Sequence, residues 1–232
     1  PPLGSFNEPW GVAVSPDGEF VYVADTWNHR IQKFTADGQA LAAWGIFSQG
    51  QEPTAFYGPR DVLVDNDGNV LVMDTGNKRI KVFDSEGNFI SQFGSFGFDL
   101  GFFDEPVGIA LDRERNLLYV ADTWNQRVQV ISYSNGVFNP LETWDISGWF
   151  GQSLENKPYL SVGQGGLVFI TDPEAGRVLA YNPDGTIAYY FGGFDQSAVF
   201  IGVAQAVAAD PNSNTIWVTD STNGDVYRFE VP

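Results

Sequence analysis

Apolar residues recur along this chain at every second position, in runs no longer than a short strand. Val21 and Val23 fall on one side of an extended segment and Tyr22 and Ala24 on the other, the period-two pattern of a β-strand. The pattern predicts four consecutive strands over residues 9–14, 21–24, 30–34 and 40–44. Pro16-Asp17-Gly18 and Ala36-Asp37-Gly38 separate them, and Asp-Gly readily takes the positive φ of a tight hairpin. The same succession returns at 62–64, 70–73, 79–83 and 89–93, then at 107–111, 118–121, 127–131 and 138–144. It returns again at 160–162, 167–171, 177–181 and 187–191. The last group, 206–209, 215–219 and 226–229, stops before a fourth strand.

The strands belong to a repeated unit. Val21-Tyr22-Val23-Ala24-Asp25-Thr26-Trp27-Asn28-His29-Arg30 comes back with Asp74, Asp122, Asp172 and Asp220 at its centre, a period of about 50 residues that marks a repeat architecture. The units are residues 6–45, 56–94, 103–145, 155–192 and 201–232, read as one domain over 1–232. Four short antiparallel strands cannot bury both their faces alone, and radial stacking solves this. The expectation is an all-β propeller of five four-stranded blades, the last lacking its outer strand. In each blade the Val-, Ala- and Gly-rich first strand would be innermost. Phe47, Phe96, Phe102, Trp149 and Phe194 lie in the long connections between units and are expected to wedge between blades.

Composition narrows the function classes. The 232 residues carry 29 acidic and 12 basic side chains, a formal charge of −17. Phosphate backbones need basic surface, so nucleic acid is not an expected partner, and anionic membranes are repelled for the same reason. There is no cysteine, which removes disulfides and thiolate chemistry. An extracellular or extracytoplasmic location, as part of a larger protein, fits this composition.

Pro-x-Gly-Val/Ile-Ala, then Asp-x-x-Gly, then Val-Tyr-Val-Ala-Asp-Thr-x-Asn-x-Arg-Ile/Val-Gln resembles the NHL repeat, closely over residues 9–131. The fourth unit departs at Ala175, where the motif has asparagine, and the fifth at Asp225, where it has arginine. The resemblance implies a β-propeller, most often of six blades. With five units counted, the alternatives are a five-bladed ring and part of a larger propeller. Some propellers of this type are lyases with zinc held by several histidines, and some NHL propellers bind RNA. A single histidine and no cysteine cannot build such a zinc site, and the charge opposes RNA.

Candidate residues divide into scaffold and surface. Asp25 with Arg30, Asp74 with Arg79, Asp122 with Arg127 and Asp172 with Arg177 recur in unit after unit, so they are read as structural. Each carboxylate would cap its own turn while the arginine bridges to it. Asp220 meets Asp225 instead, an oxygen-only pair that leaves calcium as the one cofactor to consider. His29, the only histidine, occupies a variable slot and is expected to be an exposed turn residue. Asp61, Asp104 and Glu105 could approach a channel as catalytic carboxylates, but no catalytic motif surrounds them. Trp27 and Trp124 stand where the second unit has Gly76, so the fold does not require them. With Trp10, Arg60, Tyr159 and Gln205 they form the candidate ligand face, suited to a protein, a peptide or a carbohydrate. The leading expectation is a non-catalytic binding or scaffold domain, with self-association through the terminal blades as a further possibility. The alternative is a carboxylate- or calcium-dependent hydrolase acting at the central channel.

Overall fold

A computed structural model describes residues 1–149, 156–193 and 200–232. The first sheet contains β1 (Pro9–Val14), β2 (Phe20–Asp25), β3 (Arg30–Thr35) and β4 (Ala40–Trp44), paired in sequence order. A short parallel pair follows, β5 (Ile46–Phe47) with β6 (Ala55–Phe56). The second sheet holds β7 (Asp61–Val64), β8 (Val70–Asp74), β9 (Arg79–Phe83) and β10 (Phe89–Phe93). The third holds β11 (Pro106–Asp112), β12 (Leu117–Asp122), β13 (Arg127–Ser134) and β14 (Val137–Asp145). The fourth holds β15 (Leu160–Val162), β16 (Val168–Asp172), β17 (Arg177–Tyr181) and β18 (Ile187–Gly192). The fifth has three strands, β19 (Ala204–Ala209), β20 (Thr215–Asp220) and β21 (Asp225–Glu230). Five blades with a deficient last one is the arrangement the periodicity predicts.

The chain divides into two compact units. One comprises residues 1–107 and 131–141, the other 108–130 and 142–232. In the first, Tyr22, Ala24 and Ile31 of blade 1 pack with Phe56, Val62, Val64, Val70 and Val72 of blade 2. Blade 2 is covered on both faces, so Val70, Leu71, Val72 and Met73 are all fully buried and the β8 run is continuously apolar. In the second, Trp144 stacks on Tyr181 at 5.7 Å, and Phe169, Val178 and Ala180 of blade 4 pack with Ile201, Val207, Ile216 and Val218 of blade 5. Fully burying one such side chain contributes about 1.5–3 kcal/mol.

The Pro-x-Gly pattern has a direct cause. A Cβ on Gly11 would stand 2.7 Å from the Cα of Asp61, and one on Gly108 would stand 2.8 Å from the Cα of Tyr159. Consecutive first strands approach so closely at these points that only glycine fits.

The connections between blades fold differently from the expectation. Trp149 is a wedge, with its indole N–H donating to the Thr171 carbonyl and almost no exposed surface. Phe47, Phe96 and Phe102 are not, being 60%, 61% and 43% exposed. In β5–β6, and in the matching bridge of Phe96 with Phe103, two aromatic residues lie side by side. Phe56 and Phe103 take the interior position, which leaves Phe47 and Phe96 facing solvent. Phe194 lies outside the described residues.

Candidate functional site

Every blade ends its second strand on the repeated aspartate, and all five carboxylates are buried. A 3₁₀ turn follows in the first four, Thr26–Asn28, Thr75–Asn77, Thr123–Asn125 and Pro173–Ala175. In the first three of these the aspartate does not cap its own turn, contrary to expectation. Asp25 instead accepts from the backbone N–H of Asn7 (2.8 Å), and Asp74 from that of Tyr57 (2.7 Å). The carboxylate thus ties down the segment leading into the blade. Asn28 and Arg30 donate to Asp25, and Asn77 and Arg79 to Asp74, with the arginine Nε at 2.8 and 2.9 Å. Arg127 Nε reaches Asp122 at 2.7 Å and Arg177 Nε reaches Asp172 at 2.8 Å.

Asp220 has no arginine at the matching position. Burial opposes its charge, but N–H groups of Gly202, Val203 and Asn223 override this and hold the carboxyl down to about 2. Here the carboxylate does cap its own turn, accepting from Thr222 N as well. Asp225, its cross-strand partner, receives the Tyr227 hydroxyl at 3.4 Å. No group of three or more metal-ligating side chains occurs among the described residues. Asp61 accepts from its neighbour Val62 N, and Glu105 pairs with Lys78 at 2.9 Å.

The residue after each 3₁₀ turn is left-handed, with φ of 54° at His29, 57° at Lys78, 55° at Gln126 and 60° at Gly176. This places the His29 ring against the next blade rather than free in solvent. Its Nδ1 accepts from Gly58 N at 3.1 Å, so a neutral ring carries its proton on Nε2. Burial pulls its pKa below the usual imidazole value. Around it stand Phe47 (4.7 Å between ring centroids), Tyr57 (6.1 Å) and Trp27 (6.2 Å), and Phe47 meets Tyr57 edge-on at 5.5 Å. Trp27 is 42% exposed and its indole N–H donates to Glu8 at 3.0 Å. Four aromatic side chains from blade 1 and the β5–β6 connection therefore form one partly open cluster.

The other candidates are distributed as follows. Trp10 lies over the Arg60 guanidinium at 4.2 Å, with Arg60 buried. Trp124, 48% exposed, has the buried Lys157 ammonium 5.1 Å from its ring. Tyr159 is buried, its backbone N–H donating to the Thr171 hydroxyl, and Gln205 is half-buried. Trp10, Trp27 and Arg60 belong to the first unit, and Trp124, Tyr159 and Gln205 to the second.

Gly76 has its own reason for lacking a side chain, because a Cβ there would lie 2.4 Å from the Tyr57 carbonyl oxygen. Asn7 takes the Tyr57 role in blade 1, receiving Trp27 N at 3.1 Å where Tyr57 receives Gly76 N at 2.8 Å. Sequence reading missed His29 and Tyr57 as members of this surface. The one available signal was the high aromatic content of residues 45–57.

Residues 6–34, 56–83 and 103–131 each match the NHL repeat, covering the lead-in and first three strands of blades 1 to 3. Three of the five blades therefore carry NHL repeats. Among curated proteins, this propeller is 29% identical over 119 residues to the protein brain tumor of Drosophila melanogaster, covering 50% of this chain. It spans only 11% of that relative's length. Solved structures share its fold at low identity. The virginiamycin B lyase of Staphylococcus aureus has a TM-score of 0.60 and 15% identity, over 97% of this chain and 70% of the lyase. A Bacteroides thetaiotaomicron protein of unknown function has a TM-score of 0.67 and 16% identity, over 97% of this chain and 59% of that one.

Proposed function

We propose that this NHL propeller is a non-catalytic interaction module. It captures a segment of another protein on the aromatic loop end of its first two blades. The observation that carries the reading is the Trp27–His29–Phe47–Tyr57 cluster. Its outer rings are exposed, yet they are held by ring contacts and by the Glu8 and Gly58 hydrogen bonds. Preorganised aromatic anchors lose little entropy on binding and dominate interface energetics. A second exposed aromatic pair, Phe96 and Phe98 at 5.8 Å, lies in the equivalent connection of blade 2. The net charge of −17 selects the partner's chemistry, favouring apolar side chains flanked by lysine or arginine.

The test is selection from a displayed library of random linear peptides, in parallel with a panel of immobilised glycans. The expected result is recovery of apolar, basic-flanked peptides that a Trp27→Ala/Phe47→Ser variant no longer retains. A Trp124→Ala variant should retain them. Recovery of glycans alone, or equal retention by both Trp27/Phe47 forms, would overturn the reading.

A further inference from the structure

The aromatic cluster beside blade 1 carries two polar hydrogens that the fold does not use. Trp27, His29, Phe47 and Tyr57 all lie in the first compact unit. The Trp27 indole N–H is taken by Glu8 at 3.0 Å. His29 Nδ1 is taken by Gly58 N, so the neutral ring presents its N–H at Nε2. Neither that Nε2–H nor the Tyr57 hydroxyl has a hydrogen-bond partner among the described residues, and neither atom is buried. Tyr57 is held through its backbone instead, its N–H donating to Asp74 and its carbonyl receiving Gly76 N. The two open donors therefore stand at fixed places on the surface.

They stand among rings. Trp27 and Phe47 each contact the His29 ring, with centroids 6.2 and 4.7 Å away, and Tyr57 meets Phe47 edge-on. Trp27 and Phe47 are 42% and 60% exposed. Open donors call for a ligand with unoccupied acceptors. A helix, or a strand already paired in a sheet, has spent its carbonyls internally. A polyproline II segment makes no internal hydrogen bonds and leaves its carbonyls open, and proline-rich segments dock on aromatic-lined surfaces. One turn of that helix is three residues of about 3.1 Å each, so prolines roughly 9 Å apart fall on one face. Two exposed rings that share a neighbour give such prolines separate places to stack.

We infer that the segment captured at this surface is proline-rich and is bound as a polyproline II helix. Its prolines stack on Trp27 and Phe47, and its carbonyls accept from His29 Nε2–H and from the Tyr57 hydroxyl. The inference rests on the interaction-module reading above and narrows it to one class of partner. Glu8 supplies the charge complement. It is exposed, with one carboxylate oxygen on Trp27 and the other open, and so favours arginine or lysine beside the prolines. Because the ligand is ordered before it binds, a surface of few contacts suffices to hold it.

The experiment compares two displayed peptide libraries of equal length, both flanked by arginine. One has proline at every third position and the other has alanine there. Binders are expected from the proline library alone. A synthetic peptide made from one of them should bind about tenfold more weakly, or worse, once its fixed prolines become alanine. Tyr57→Phe keeps the ring and its backbone bonds and removes only the hydroxyl, so it should weaken the proline peptide about fivefold without moving the urea midpoint. Equal recovery from both libraries, recovery from the alanine library alone, or unchanged affinity in Tyr57→Phe would overturn the inference. Each of those results leaves capture of a protein segment standing. No binder from either library would sink the inference and the reading beneath it together.

Discussion

Replacing Asp74 with alanine is expected to be the most damaging single change in the recurrent brace. The Asp74 carboxylate is wholly buried and accepts three hydrogen bonds, from Tyr57 N, Asn77 Nδ2 and Arg79 Nε. Its partner is buried too, with 3% of the Arg79 side chain exposed. Removing one member of a buried ion pair strands the other and costs about 3–5 kcal/mol. Two terms pull that figure down. Arg79 keeps Gly50 O, Ala55 O and Gln51 as acceptors, and burial already pushes the Asp74 carboxyl above its usual value. The net expectation is about 3 kcal/mol, near the lower end of that range. Asp220 provides the internal comparison, since it is equally buried but faces no guanidinium. Its loss leaves only unsatisfied N–H groups, for about 1–3 kcal/mol. Urea unfolding followed by circular dichroism reads both values from the midpoint at constant slope. Adding Arg79→Met to Asp74→Ala should recover part of the loss, because it removes the stranded charge. An Asp74→Ala cost below about 1 kcal/mol, or a double variant worse than the sum of its parts, would refute the reasoning.

Two further outcomes follow from the structure. Gly76→Ala should destabilise by about 1–3 kcal/mol through overpacking against the Tyr57 carbonyl, and an unchanged melting temperature would contradict the close approach. Lys81 is pushed down to about 8 by burial, while its ammonium donates to the carbonyls of Glu52, Pro53 and Ala55. The unfolded chain holds that proton up to an ordinary value near 10.5, so it binds more protons than the fold between about pH 8 and 10.5. The Lys81 contribution must therefore rise with pH across that window. Lys81→Gln, which installs the residue blade 1 has as Gln32, should lack the rise when unfolding free energies are compared between pH 7.5 and 10. An identical pH dependence in both proteins would contradict the assignment.

Strand positions and the Asp–Arg brace were legible because both depend on local pattern. A period of two and a motif repeated unit after unit survive translation into structure with shifts of at most three residues at strand ends, the largest where β13 runs on to Ser134. What was illegible depends on pairings between distant segments. The Tyr133 hydroxyl donates to Asp65 at 2.8 Å across 68 residues, and nothing near either residue announces it. The carboxylate's true backbone partner was missed for a similar reason. Asn7 and Tyr57 precede their aspartates by 18 and 17 residues, whereas the turn expected to be capped is adjacent. Phe47 and Phe56 are both aromatic residues in one connection, and only their side-by-side parallel pairing decides which faces in. His29 looked free because its slot is variable, but a left-handed backbone turns its ring toward Gly58 and Phe47.

The direct test of a binding surface at the loop end of blades 1 and 2 is a calorimetric titration of a selected peptide. Native protein and the Trp27→Ala/Phe47→Ser variant would be compared at low and high salt, with the variant's urea midpoint measured alongside. Binding lost in the variant, weakened by salt in the native protein, and an unfolding free energy within about 1 kcal/mol of native are the predicted results. Retained binding, or a stability loss of the size seen when a core aromatic is removed, would show that these rings pack the fold rather than hold a partner.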